Sequence, residues 1–254
     1  MLRLLFRHTR LLIAIGGLFL LVSPLCVDLN SQTAKPLFSE DFESGTLDRN
    51  IWSELITGDN TITVQKDRVA HGKYALLVRC PAPSQKTYAF ITLHNLPAAL
   101  RRHQFGRAYV YITPKLPARH TVFITAGTAG FPKYKYEEVA TLNARFQLTY
   151  VDQLNGGEDW HSGGSDVPLG RWFLMEWEFD DNPNHAAVRV DGEKVYETPF
   201  AFKTTDGQGT AGSGLVGGFT DAAFGFRLWG AAPEAFDIYY DDIAIDVKPI
   251  GPVR

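Results

Sequence analysis

Between Trp172 and Phe179 the chain alternates without a break: Phe173, Met175, Trp177 and Phe179 share one parity, and Trp172, Leu174, Glu176 and Glu178 share the other. That period of two belongs to a strand with one buried face. After a polar turn, Ala187, Arg189 and Asp191 alternate with Val188 and Val190, and Asp191-Gly192 supplies residues that tolerate positive φ before Val195 and Tyr196 resume the pattern. From Leu37 onward, similar short runs recur with Gly, Pro, Asn and Asp between them, and no long 3.6-residue period appears. The reading is all-β, with strands expected at 37–42, 61–66, 74–80, 87–94, 106–113, 120–127, 139–150, 171–179, 186–196, 214–219, 223–229 and 236–246. A short helical turn is expected at 97–102, and the small-residue stretch 203–214 reads as a loop that rims a binding face.

With 254 residues, 45% of them hydrophobic and 13% aromatic, the chain can bury one large core. One domain is expected over 35–254. Residues 1–34 read as a signal peptide or N-terminal membrane anchor plus a short linker: Arg3, Arg7 and Arg10 precede an apolar run from Leu11 to Leu25. Export to the cell envelope, the periplasm or the outside follows, with membrane contact only through this segment if it stays uncleaved. Removing it, with Arg3, Arg7, Arg10 and Asp28, lowers 25 basic and 28 acidic residues to 22 and 27. That net negative charge argues against a nucleic-acid partner. Only Cys26 and Cys80 are present, so a mature chain keeps one thiol, read as a small buried hydrophobe.

Three segments, FSEDFESGTLDRNIW (38–52), VAHGKYALLVR (69–79) and DIYYDDIAID (237–246), resemble the concanavalin A-like jelly rolls. Further pieces narrow the resemblance: FGRAYVYI (105–112), His120 with VFITAG (122–127), WHSGGSDVPLGRWFLMEWEFDD (160–181), VDGEKV (190–195) and IDVKPIG (245–251). In their order and spacing they are similar to the cellulose-induced Cip-type proteins and to the related glucuronan and alginate polysaccharide lyases. The resemblance spans about residues 37–251 and implies a jelly-roll β-sandwich of two antiparallel sheets that engages polysaccharide. Where it implies paired cysteines, this sequence has Asp159 and Leu174 or Met175, so that disulfide is absent.

Strand parity sorts the polar candidates. Ala108, Val110 and Ile112 set Arg107, Tyr109 and Tyr111 on the opposite face; Phe146, Leu148 and Tyr150 do the same for Arg145, Gln147 and Thr149; Phe226 and Leu228 do so for Arg227 and Trp229. If these faces line one sheet, the groove holds arginines, tyrosines, a tryptophan and a glutamine. Aromatic faces stack on sugar rings, and guanidinium forks take uronate carboxylates. Elimination also needs the carboxylate neutralised and a proton removed beside it. Arg107, Gln147 and His120 are the candidates for neutralisation, and Tyr109 or Tyr111 for proton transfer. Arg145, Arg227, Trp229, Trp160 and His161 are the substrate-binding candidates. The run Lys133-Tyr134-Lys135-Tyr136 reads as an exposed loop or edge, or as a grip on an anionic chain.

Two other functions stay open, a noncatalytic lectin-like module on the same groove and an envelope adhesion domain whose groove is blocked. A glycoside hydrolase is disfavoured, because Glu176 and Glu178 share a face but no third glutamate completes the strand motif. Glu176 is expected to serve a structural hydrogen bond beneath the groove. The resemblance also implies a structural calcium that ties the first strand to the last, through Glu40 or Asp41, the backbone near His71 and Gly72, and Asp241. Parity places Asp241 with Ile243 and Ile245, pointing inward.

Overall fold

The computed structural model describes residues 35–128, 135–152, 157–181, 185–199 and 218–253. Fifteen strands are named along them: β1 (Phe38–Glu40), β2 (Trp52–Ile56), β3 (Thr61–Gln65), β4 (Ala75–Cys80), β5 (Thr87–Leu93), β6 (His103–Ile112), β7 (His120–Gly127) and β8 (Lys135–Leu142), then β9 (Arg145–Asp152), β10 (Gly157–Asp166), β11 (Trp172–Asp180), β12 (His185–Val190), β13 (Glu193–Pro199), β14 (Asp221–Trp229) and β15 (Phe236–Asp246). A single 3-10 turn, Ala98–Leu100, fills the expected helical position. The first sheet runs β13-β12-β11-β6-β15-β4-β3, with β1 also on β15; the second runs β10-β9-β8-β7-β14-β5-β2. Every named pairing is antiparallel, and the two sheets make a jelly-roll sandwich.

The long run expected at 139–150 is two strands. Asn143 and Ala144 both take positive φ, 53° and 58°, and close a two-residue hairpin between β8 and β9. The run expected at 186–196 is likewise two strands: Asp191-Gly192, expected to turn, closes the β12–β13 hairpin at φ 52° and 86°, and asparagine-alanine is the weaker turn signal. Two strands were not anticipated. β2 buries only Trp52 in the core and leaves Ile56 exposed, so its apolar residues do not alternate, and β10 is rich in glycine and polar residues that read as loop. The 203–214 loop, most of the expected 214–219 strand and the 1–34 segment lie outside the described residues.

The core lies between the sheets, where Phe173, Met175, Trp177 and Phe179 of β11 and Ala108, Val110 and Ile112 of β6 meet Phe146, Leu148 and Tyr150 of β9 and Phe224, Phe226 and Leu228 of β14. Opposite bulges in β7, at Val122/Ile124, and β14, at Phe224/Arg227, interrupt the second sheet. Tyr240, from the first sheet, reaches across with its hydroxyl 2.9 Å from the Phe123 carbonyl and 2.7 Å from the Gly225 carbonyl. A side-chain hydroxyl thus serves backbone oxygens at the bulges. Burial holds that phenol in its protonated form. Gly225, at φ 149°, could not be another residue, since a Cβ there would lie 2.0 Å from the Ala89 oxygen. The β7 bulge leaves both Phe123 and Ile124 in the core with Val122 outward, while β14 keeps Phe224, Phe226 and Leu228 inward and Arg227 outward.

Candidate functional site

For β6, β9 and β14 parity was right about faces and silent about sheets. Arg107, Tyr109 and Tyr111 do point away from the core, but from β6 in the first sheet. His120, Gln147, Arg145, Arg227 and Trp229 belong to the second sheet, so the two groups lie on opposite sides of the sandwich. No single groove holds all of them. The outer positions of β6 are also occupied by the chain itself: the His71 ring meets Tyr109 edge-on at 4.5 Å, the Arg68 guanidinium lies 3.9 Å over Tyr111, and Arg107 donates to the Gly251 carbonyl at 2.7 Å. Glu176 stands opposite Arg107 on this same face rather than beneath the groove. With Phe105, Glu178, Arg189, Pro249 and Ile250 it lines a slot of about 50 Å³, room for a few waters and not for a sugar ring.

On the outer face of the second sheet a polar chain crosses five strands. Tyr136 of β8 accepts a hydrogen bond from Arg227 Nη1 of β14 at 2.9 Å, and the same nitrogen lies 3.4 Å from Glu138 Oε1. Glu138 Oε2 is 3.8 Å from His120 Nε2 on β7. His120 Nδ1 is 2.6 Å from Gln147 Oε1 on β9, whose amide donates to Ser162 Oγ on β10 at 3.1 Å. An amide oxygen only accepts, so Nδ1 of His120 carries hydrogen and Nε2 is the atom whose protonation changes. Burial alone would lower the affinity of His120 for a proton, but the Glu138 carboxylate and the Gln147 oxygen outweigh it and hold the imidazole above its ordinary value.

Tyr136, Glu138, Gln147 and Arg227 are all buried. Ser162 at the β10 end is exposed, and His120 is partly open, with 23% of its side chain exposed. Around it lie exposed groups. Trp229 sits directly across from His120 on β14 and carries Lys86 Nζ 3.6 Å over its ring. Trp160 lies across from Thr149 at the β10 edge, and Arg145 is exposed at the start of β9 while donating to the Gly164 carbonyl. His161 alternates to the other face of β10, beside Leu148, and its Nε2 is 3.0 Å from Asp159 Oδ2. It turns between the sheets and does not rim the groove with Trp160.

Sequence reasoning missed Tyr136, Glu138, Ser162 and Lys86. The alternation Tyr136, Glu138, Ala140 was the available signal for the first two, had β8 been separated from β9. Tyr136 was read as part of a loop or edge and is instead a buried strand residue.

The expected calcium ligands cluster at one end of the first sheet but are committed elsewhere. Glu40 receives the Phe42 amide at 2.8 Å and the Trp52 indole at 3.0 Å, and Asp41 receives the Glu43 amide at 3.1 Å. Gly72, at φ 66°, leaves room for Glu43, whose Oε1 would be 2.3 Å from a Cβ there. Asp241 does not point inward with Ile243 and Ile245. A bulge between Asp241 and Ala244, with Asp242 at φ 48°, reverses the parity of β15. Asp241 faces outward beside Tyr109, with its Oδ2 accepting the Ala70 and His71 amides at 2.9 and 3.1 Å. Among the described residues no three His, Cys, Asp or Glu side chains converge on a common cation position. In this structure these carboxylates accept backbone and indole N–H groups, and hydrogen bonds tie the Ala70–His71 segment to β15.

No protein-family model and no curated protein sequence matches the chain. Solved structures do. A cellulose-induced protein, Cip1, is similar at a TM-score of 0.61 and 15% identity, over 85% of this chain and 100% of that one. An endo-β-1,4-glucuronan lyase from the fungus Trichoderma reesei is similar at a TM-score of 0.57 and 16% identity, over 84% of this chain and 96% of that one. A sialidase matches at 0.55 and 11%, over 82% of this chain but 18% of its own length. This protein therefore has the jelly-roll fold of the cellulose-induced protein and the glucuronan lyase, over nearly the full length of both.

Proposed function

We propose that the protein is an exported, carbohydrate-active protein that binds an acidic, uronate-containing polysaccharide on the outer face of its second sheet and cleaves it by β-elimination. The observation that carries this reading is His120, held between Gln147 and Glu138 as a partly open member of a largely buried polar network and flanked by Trp229 and Lys86. Trp229 and Trp160 offer ring faces for sugar stacking, while Lys86 and Arg145 supply positive charge for the carboxylates. In this reading His120 Nε2 takes the proton beside the carboxylate and returns it to the leaving oxygen. Gln147 fixes the tautomer, and Arg227 and Glu138 set the field beneath the imidazole.

One observation favours a second reading, noncatalytic glycan binding. Arg227 is already paired with Glu138 and, like Tyr136, is buried, so neither reaches a polymer directly. A single assay separates the two. The protein is incubated with glucuronan, alginate and pectate, with and without calcium, and the ultraviolet absorbance of unsaturated uronate ends is followed. A rise that is lost in His120→Ala supports elimination. Retained binding with no rise supports the lectin-like reading, and neither binding nor rise overturns both.

A further inference from the structure

At the other end of the same sheet face, three side chains from three strands fall into line. Ser53 Oγ of β2 is 2.8 Å from His94 Nε2, just past the end of β5, and His94 Nδ1 is 3.0 Å from Asp221 Oδ1 at the start of β14. An ionised carboxylate only accepts, so Nδ1 carries the hydrogen, and neutral Nε2 is left to accept from the serine hydroxyl. This is the tautomer a general base needs. Burial is graded in the same sense: Asp221 is 6% exposed, His94 is 48% exposed, and Ser53 lies open to solvent. Directly across from Ser53 on β5, Thr92 holds a buried hydroxyl with no hydrogen-bond partner. Residues so paired have their Cβ atoms about 4.5–5.5 Å apart, so an uncommitted donor stands beside the nucleophile.

We propose that Ser53, His94 and Asp221 form a nucleophilic site that hydrolyses carboxylic esters. Ser53 Oγ attacks the ester carbonyl carbon as His94 Nε2 takes its proton, and Thr92 donates to the developing oxyanion. The C–O bond to the alcohol then breaks, and His94 protonates the departing alkoxide. Water, deprotonated by His94, attacks the acyl-serine, releasing the carboxylic acid and returning the proton to Ser53. Asp221 is the positioning residue that holds the imidazole. Asp221 and Arg227 stand six residues apart on one strand, roughly 20 Å. A polymer lying on this face would carry its acyl groups past Ser53. That extension rests on the glycan reading above, whereas ester hydrolysis does not.

The test uses the full chain and two probes that need no glycan. A fluorophosphonate should modify Ser53, located by peptide mass spectrometry, and p-nitrophenyl acetate should be hydrolysed with a rate that falls about a hundredfold or more in Ser53→Ala and His94→Gln. Asp221→Asn should lower kcat while leaving KM in place. A fluorophosphonate adduct absent from Ser53, or a wild-type rate in a folded S53A protein, overturns the proposal. Because the labelling is done on the wild-type chain, a misfolded variant does not blunt it.

Discussion

The two outer faces of this sandwich are built alike and end differently. Each alternates large apolar residues inward with polar and aromatic residues outward. On the first sheet the outward aromatics are used by the chain itself: His71 caps Tyr109, Arg68 covers Tyr111 and the C-terminal segment holds Arg107. On the second sheet Trp160 and Trp229 remain exposed, and a largely buried network opens to solvent at His120. Outward polarity therefore does not mark a site; what the rest of the chain lays over it decides. The sharpest test is a pair of variants. His120→Ala should lower turnover of a uronate polymer by about 10²–10⁴-fold, while Arg107→Ala should leave it within a factor of two or so. Equal losses in both would erase the distinction between the faces.

The second test addresses what lies beneath His120. Arg227 and Glu138 are both nearly inaccessible, and each compensates the other's charge. Arg227→Ala strands the carboxylate and should cost about 3–5 kcal/mol in urea unfolding. The double replacement Arg227→Met with Glu138→Leu, which removes both charges, should recover most of that loss without restoring turnover. If R227A alone is neutral, the network is not the support assigned to it here.

Fold class was legible because alternation in β6, β11, β12 and β14 is strong enough to fix which residues face the core. The same alternation could not say which sheet a strand joins, and the first site reading failed on that point. Arg107 and Gln147 have equivalent parity and lie on opposite sides of the molecule. Bulges were the second obstacle. The extra residue in β15 turned Asp241 away from the core, and that in β7 shifts the alternation between Val122 and Ile124, whereas β14 keeps its alternation through its bulge and Arg227 faces outward as parity predicts. His120 and Gln147 were both named as candidates, and the structure brings them within 2.6 Å, although parity had assigned a face only to Gln147. Ser53 and His94 went unnoticed because β2 was not recognised as a strand.

Asp241 supplies a pH test of the first sheet. Burial, partly offset by the His71 and Ala70 amides, raises its pKa from 3.8 to about 6. The folded state then holds a proton that the unfolded chain gives up between those values. Stability should therefore be greatest below pH 4, fall as pH rises through 6, and level off above it, a change of about 3 kcal/mol at most. Asp241→Asn should flatten that slope in thermal melts across the range. Calcium at this corner would require the ionised form, so a slope abolished by added calcium would show a cation site where hydrogen bonds now account for the tie. Such a result would leave the second sheet's chemistry untouched.

The smallest effect belongs to the exposed tryptophan. Trp229 is 39% exposed, lies across from His120 and carries Lys86 on its ring. Removing a stacked ring should weaken polymer binding by about 0.5–1.5 kcal/mol, with the fold unchanged because the side chain contributes little to the core. Lys86→Ala should reduce affinity for an acidic polymer, and the deficit should shrink as salt rises, since exposed charges are screened. The same substitution should leave affinity for a neutral glucan unaltered. Titrating both variants against both polymers at two salt concentrations separates stacking from charge: Trp229 lost on both polymers and Lys86 lost on the acidic one alone would assign ring recognition and carboxylate recognition to adjacent side chains of one face. If neither variant changes affinity for any polymer, the glycan does not lie over β14, and the exposed aromatics of the second sheet are no more a site than the covered ones of the first.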